Sequence, residues 1–217
     1  MNLIPKYVIS VQENKLSRFK QYMAEYNIDN FIKLPCELTP GRHWIGAGLS
    51  HKDCVKHAMD NNYDYAMVFE DDARFIPDID LSISAIVEEL INYDDWEYAC
   101  ISNTLLYKID KRNKHIPNID ILDNNNIQLK RKTTNTVQID INNTPGPVIG
   151  NCSCVIYNKK CYDKYISTFD PYKDEWCDVW APKNLKTLLV SPPLVYQFDK
   201  KWMLGHCEIW GRYLQNL

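Results

Sequence analysis

Nowhere in the 217 residues do the roughly 18 consecutive apolar side chains of a membrane-crossing helix occur, so no integral membrane segment is expected. The opening stretch, Met1 to Tyr7, holds a lysine and a proline and no apolar run. No secretory signal is therefore expected, and a cytoplasmic location is. Charge of one sign is also missing: 25 Lys and Arg stand against 28 Asp and Glu, a formal net charge of -3. A polyanion binder needs clustered cations, and the one dense basic run, Lys130-Arg131-Lys132, reads as a solvated loop face, so nucleic acid is not an expected partner. The eight cysteines show no C-x2-C spacing at Cys152, Cys154 and Cys161, which speaks against a zinc site there. Without a leader they are expected as free, mostly buried thiols, and the sequons at Asn142 and Asn151 carry little weight.

What is present is the balance of an ordinary globular chain, 45% hydrophobic and 24% charged, enough for a sizeable core. The length fits one α/β domain over residues 1–217 with a polar insertion at about 103–144. Lys6 to Val11 reads as a strand, followed by a helix whose face is Leu16, Phe19, Met23 and Tyr26. After a loop with Pro35, Pro40, Gly41, Gly46 and Gly48, the run Ser50-His51-Lys52-Asp53 has the form of a capping box. A helix is expected to start there, carry Cys54, Val55, Ala58 and Met59 inward, and stop at Asn61-Asn62. Tyr65 to Phe69 is continuously apolar, as a strand covered on both faces would be. A helix from Pro77-Asp78 is expected to bury Ile83, Ile86, Val87, Leu90 and Ile91, with Tyr98 to Ile101 the next strand. This alternation predicts a mixed, mainly parallel sheet flanked by helices on both sides.

From Asn103 to Thr144 the periodicity gives way to Asn- and Lys-rich sequence, including Asn124-Asn125-Asn126, with a hairpin strand around Val137 to Ile141. Stretches of this length often serve as lids or binding loops. Strand Cys154 to Tyr157, a short helix from Lys159 to about Tyr165, and a last strand Thr187 to Val190 complete the pattern.

The chemistry concentrates where the apolar strand runs into Glu70-Asp71-Asp72. Ligands of open α/β sheets bind at the carboxyl ends of strands. Three adjacent acids repel one another by up to about 1 kcal/mol per pair, and a hard divalent cation relieves that repulsion while keeping positions for phosphate oxygens. Alternation on an extended segment makes Glu70 and Asp72 the co-facing pair. On the triplet alone a second reading stands equally: the acids cap the following helix or sit in solvent. Gly46 and Gly48 would permit close backbone approach, and a helix beginning at Ser50 would offer free amides to phosphate; a plain turn and cap fits the same residues. Trp176 and Trp180 can stack on a sugar ring or fill the core. His57 reads as structural.

The segment Gly46-Ala47-Gly48-Leu49-Ser50-His51 through Phe69-Glu70-Asp71-Asp72-Ala73 resembles glycosyltransferase family 25, the group of lipopolysaccharide and collagen galactosyltransferases, and the likeness extends more weakly along most of the chain. Tyr7-Val8-Ile9-Ser10 with Arg18 looks like the family's first strand and basic helix start, and Gly150 to Tyr157 looks like its later glycine-strand segment. Ser191-Pro192-Pro193-Leu194-Val195-Tyr196-Gln197 is similar to its ending. Gly48 replaces the family's usual cysteine, and the insertion matches nothing specific.

The resemblance implies a GT-A fold and an inverting, divalent-metal-dependent transfer of a hexose, galactose or glucose, from a UDP-sugar to a glycan or hydroxylated protein. It implies manganese or magnesium on Glu70 and Asp72 with His206 as a further ligand, and Ser10, Arg18, Gly48, Ser50, His51 and Asp71 around the donor. Read from the residues themselves, Arg18 and Lys201 can serve as diphosphate cations or stand simply solvated. The general base falls in Asp174-Glu175-Trp176-Cys177-Asp178, with Asp178 first and Glu175 second. A nucleotidyltransferase, or a silent sugar-nucleotide-binding module, are the rival readings.

Overall fold

Tyr7 and Val8 face opposite sides of strand β1 (Lys6–Ile9), and in β3 (Tyr65–Glu70) Ala66 and Val68 enter one core while Met67 and Phe69 enter another. This period-two division fixes one sheet with a hydrophobic layer on each face. The computed structural model describes residues 4–36, 39–77, 82–105, 107–109, 115–117, 120, 122, 127–140, 149–173, 176–197 and 202–217. In chain order the remaining strands are β2 (Phe31–Ile32), β4 (Ala73–Phe75), β5 (Tyr98–Cys100), β6 (Thr104–Leu105), β7 (Tyr107–Ile109), β8 (His115–Pro117), β9 (Gln128–Arg131) and β10 (Thr136–Asp140). They continue with β11 (Ile149–Gly150), β12 (Cys154–Asn158), β13 (Thr187–Val190) and β14 (Val195–Gln197).

Eight strands form the main sheet in the order β2-β1-β3-β12-β5-β13-β10-β9. Pairs β1–β2, β1–β3 and β5–β13 are parallel and the other four antiparallel, so β12 and β10 run against the rest. The expected mixed, mainly parallel sheet is thus present. Helices α1 (Glu13–Ala24) and α3 (Ile83–Asn92) cover one face. The other is covered by α2 (His43–Asp60), α4 (Tyr162–Thr168), α5 (Cys177–Asn184) and α6 (Trp202–Gln215). Among the described residues no helix is long and apolar enough to cross a membrane.

Several sequence expectations need correction. The helix expected to begin at Ser50 begins at His43, and Ser50 lies inside it, buried, with Oγ donating to the Gly46 carbonyl at 2.8 Å. A serine bonded back to residue i−4 satisfies itself within the helix and caps nothing. Gly46 and Gly48 are helical, not a turn. A Cβ on Gly48 would lie 2.9 Å from Pro171 Cβ and 3.2 Å from Phe169 Cζ, so this glycine lets α2 press onto the segment after α4. Burial overrides the weak helix propensity of glycine here. In α3, Ser82 is the N-cap, accepting from the Ala85 amide at 3.2 Å; Asp78 lies outside the described residues. Ile91 is 40% exposed and leaves the buried stripe. Asn61 caps α2 as expected, and Asn62 takes φ 57°.

Part of the polar insertion is sheet: β9 and β10 form an antiparallel hairpin, and β10 pairs with β13. Asn124-Asn125-Asn126, Ile141, Asn142 and Thr144 lie outside the described residues. Asn103 ties three elements together at the edge of interest: its Nδ2 donates to the Cys100 and Val190 carbonyls at 3.0 and 2.9 Å, and its Oδ1 accepts from Trp210 Nε1 of α6 at 2.9 Å. All described cysteines are free, and Cys36 alone among the eight is not fully buried.

Candidate active site

The strands β1, β3 and β5 end on one edge of the sheet, and β12, running the other way, begins there. That edge collects the acidic turn after β3, Ser10 after β1, the 151–153 segment before β12, and Asp178 in the first turn of α5. The Glu70 amide donates to the Ser153 carbonyl at 2.9 Å and the Asp71 amide to the Ile9 carbonyl at 3.1 Å, so the backbone of the turn is fixed on both sides.

Glu70 is the electrostatic centre. Its carboxyl is pushed up to about 7, first by burial, then by the negative charges of Asp72 and Asp178, with hydrogen bonds from Gln197 and Cys152 pulling the other way. Gln197 Nε2 donates to Oε2 at 3.2 Å, and Cys152 Sγ lies 3.5 Å from Oε1. Gln197 arrives because β14 pairs with β4 directly after the acidic turn, Gln197 opposite Ala73. Asp178 is 8% exposed, and its Oδ2 accepts from the Asn151 amide at 2.7 Å. Asn151 itself has φ 77°, in the left-handed region where asparagine is among the residues that go most readily, and its Oδ1 accepts from the Ser153 amide at 3.0 Å. This loop aims one amide at Asp178 and one carbonyl at the Glu70 amide.

Asp71 turns away from the pair. Its Oδ2 accepts from Ser10 Oγ at 2.6 Å, joining the ends of β1 and β3. Arg74 donates to the Asp71 and Ala73 carbonyls at 3.3 and 2.7 Å, and its guanidinium lies 4.6 Å from the Tyr22 ring centroid. An acidic set in which one carboxyl is raised by two others is what a hard divalent cation would relieve, so the donor chemistry of Glu70 and Asp72 fits manganese or magnesium.

The structure brings Ser10, Glu70, Asp71, Asp72 and Asp178 to this edge. It does not bring all of the expected residues there. Arg18 is exposed in the middle of α1. Gly48, Ser50 and His51 are interior positions of α2; His51 is fully buried, its Nδ1 3.0 Å from Tyr157 Oη, and burial lowers it to about 3, so it is neutral. An anion-binding helix start at Ser50 is therefore ruled out by the position of α2. His206 is buried in α6, which packs on β14 and β6. Among the described residues Glu70, Asp72 and His206 are not one of the groups whose ligand atoms lie within 4.8 Å of one another. Asp174, Glu175 and Lys201 lie outside the described residues.

Trp180 packs on Tyr165 and Phe169 as core, whereas Trp176 is 53% exposed with its ring 6.4 Å from Trp44. Gln197, Asn151 and Cys152 were not singled out as site residues from the sequence. Only Gln197 had a signal, its place in the Pro-Pro-Leu-Val-x-Gln ending.

A family model described as glycosyltransferase family 25 (LPS biosynthesis protein) matches residues 9–163. No curated protein matches the sequence. Among solved structures, A197 from STIV is 13% identical, with 90% of this chain and 85% of that chain covered and a TM-score of 0.47. A glycosyltransferase involved in the glycosylation of the major capsid of PBCV-1 is 8% identical over 75% of this chain and 62% of that one, TM-score 0.39. A putative glucose-1-phosphate thymidylyltransferase from Bacillus anthracis is 9% identical over 98% and 76%, TM-score 0.46.

Proposed function

The chain belongs to glycosyltransferase family 25, and we propose that it moves a hexose, galactose or glucose, from a UDP-sugar to a hydroxyl of a glycan or hydroxylated protein, with inversion and with manganese or magnesium, acting in the cytoplasm. The observation that carries this reading is Glu70: a carboxyl at the end of a central strand, raised by burial and by the charges of Asp72 and Asp178.

Glu70 and Asp72 would hold the cation. Bound there, it supplies Lewis-acid stabilisation of the charge that develops on the departing diphosphate. The rest falls to the chain. Ser10 and Asp71 lock the ends of β1 and β3 together, which gives the nucleotide a rigid floor. Asp178 accepts the proton of the attacking hydroxyl, and the Asn151 amide on its Oδ2 fixes the carboxylate's direction during that transfer. Trp176, exposed two residues before Asp178, offers a flat apolar face to the C–H side of a sugar ring.

The test is to incubate the protein with manganese and a panel of sugar nucleotides, with candidate acceptors, and to follow nucleoside diphosphate release. Turnover that Asp72→Ala abolishes is expected. Full activity in Asp72→Ala sinks the metal assignment. Pyrophosphate release from a nucleoside triphosphate and a sugar phosphate would establish the nucleotidyltransferase instead, and folded protein inert with every donor would leave the silent binding module.

A further inference from the structure

Behind the acidic cluster lies a second group of donors that the proposed transfer does not use. His51 comes from the middle of α2, Cys152 from the loop before β12, and Cys177 from the first position of α5. Each is buried, and the His51 nitrogen and the two sulfurs all lie within 4.8 Å of one another; the sulfurs are 3.4 Å apart. A tetrahedral zinc with two thiolates and an imidazole spaces the same atoms about 3.5–3.8 Å apart, so small side-chain adjustments suffice.

The histidine is set for coordination. Tyr157 Oη lies 3.0 Å from His51 Nδ1 and can send its own proton to Tyr165 Oη at 3.4 Å; in the tautomer that arrangement selects, the proton of the neutral ring sits on Nδ1. Nε2 then carries a bare lone pair, and it is a buried atom with no hydrogen-bond partner. Leaving such an atom unmet costs about 1–3 kcal/mol, and an imidazole whose other nitrogen is held by a fixed acceptor is the usual arrangement of a metal ligand.

We propose that His51 Nε2, Cys152 Sγ and Cys177 Sγ form a buried site for a thiophilic divalent cation, zinc before others. The donor set is soft, unlike the oxygens of Glu70 and Asp72, so the two sites select different metals. Binding converts two thiols to thiolates and releases two protons. The resulting centre, one dication with two thiolates and a neutral imidazole, carries no net charge and so tolerates an interior from which an isolated ion would be expelled. The site ties three distant segments together and fixes Cys177, hence Asp178, against the loop that holds Asp178: it positions, and does not react.

Protein purified without chelator should contain about one zinc per chain by elemental mass spectrometry, and the Cys152→Ser/Cys177→Ser double variant less than a tenth of that. Cobalt(II) added to metal-depleted wild-type protein should produce intense near-ultraviolet thiolate-to-metal absorption that saturates at one equivalent. Tyr157→Phe, which removes the partner of His51 Nδ1 together with the bond to Tyr165, should weaken metal binding about 10- to 100-fold. Because the cobalt spectrum is read on wild-type protein, the idea stands or falls even if the variants do not fold. Protein without zinc whose cobalt complex lacks that absorption overturns it, as does a loss of two of the eight thiols to a Cys152–Cys177 disulfide in freshly purified protein. Metal content and the cobalt spectrum decide this site whether or not any donor turns over, while zinc-loaded protein inert with every donor sinks only the transferase reading.

Discussion

Replacing Glu70 by glutamine should stabilise the metal-free protein at pH 8 and leave it nearly unchanged at pH 5. The carboxyl is ordinarily half-ionised at 4.5 and is pushed up to about 7 in the fold, by burial and by the fields of Asp72 and Asp178. A raised folded value means that the folded chain holds the proton when the unfolded chain has lost it. Stability therefore falls as pH rises from about 4.5 to about 7 and stays low above that. At about 1.4 kcal/mol per pH unit the deficit is about 3 kcal/mol, an upper figure because Asp72 and Asp178 adjust when Glu70 ionises. Glutamine keeps an oxygen for the Gln197 donor and carries no charge at any pH. For a chain of this length each kcal/mol moves Tm by about 2–4 °C, so the variant should melt several degrees above wild type at pH 8 in the presence of chelator. Manganese should narrow or reverse the difference, because only wild type keeps both carboxylates. Calorimetric or fluorescence melts at the two pH values, with and without manganese, read this directly. Equal differences at pH 5 and pH 8 would refute the reasoning.

The same ionisation governs metal affinity: manganese should bind about tenfold more weakly for each pH unit below about 7 and level off above it, as a titration by calorimetry would record. Asp178→Asn keeps the acceptor for the Asn151 amide but loses the base, so kcat should drop about 10²- to 10⁴-fold with donor KM almost unchanged; an unaltered kcat removes Asp178 from the mechanism. Gly48→Ala drives a Cβ to 2.9 Å from Pro171 and should cost about 1–3 kcal/mol of stability while leaving nucleoside diphosphate affinity intact, whereas a selective loss of affinity would return Gly48 to the donor site. Trp176→Ala should raise acceptor KM at least several-fold without shifting Tm, since the ring is more exposed than buried.

The sheet was readable because its signal is local. Apolar runs such as Tyr65 to Phe69 and the three-to-four spacing of Leu16, Phe19 and Met23 report burial directly, and each became the element expected, except that Tyr26, counted on the same face, lies past the end of α1 and is 48% exposed. The start of α2 was hidden for the opposite reason. His43, Trp44 and Ile45 carry no cap, and Arg42 at the N-cap makes no side-chain bond, so the first local signature was the Ser50-x-x-Asp53 pattern well inside the helix. The close fit of Gly48 against the 169–171 segment, more than a hundred positions away, is likewise a contact that no local pattern shows. In the polar stretch, β10 follows the strand expected around Val137 to Ile141, whereas β9, a half-exposed edge strand, alternates weakly and joins the sheet through its pairing with β10.

At the site, residues that belong to one short motif were legible and those that meet across the fold were not. Glu70, Asp71 and Asp72 stood out because three acids follow an apolar strand, and alternation along that strand already sets Glu70 and Asp72 apart from Asp71. The structure adds the partners: Asp71 is tied to Ser10, while Glu70 lies in the fields of Asp72 and Asp178. His51 shows the converse. Beside Leu49 and Ser50 it looked like a donor contact, because a helix start was expected there; once α2 begins at His43, the same residue points inward to Tyr157, Cys152 and Cys177. A shift in one helix boundary thus moves a histidine from the nucleotide side to a sulfur-rich interior, and the residue types that gather there, unlike the oxygens of the acidic turn, are those that hold a soft metal.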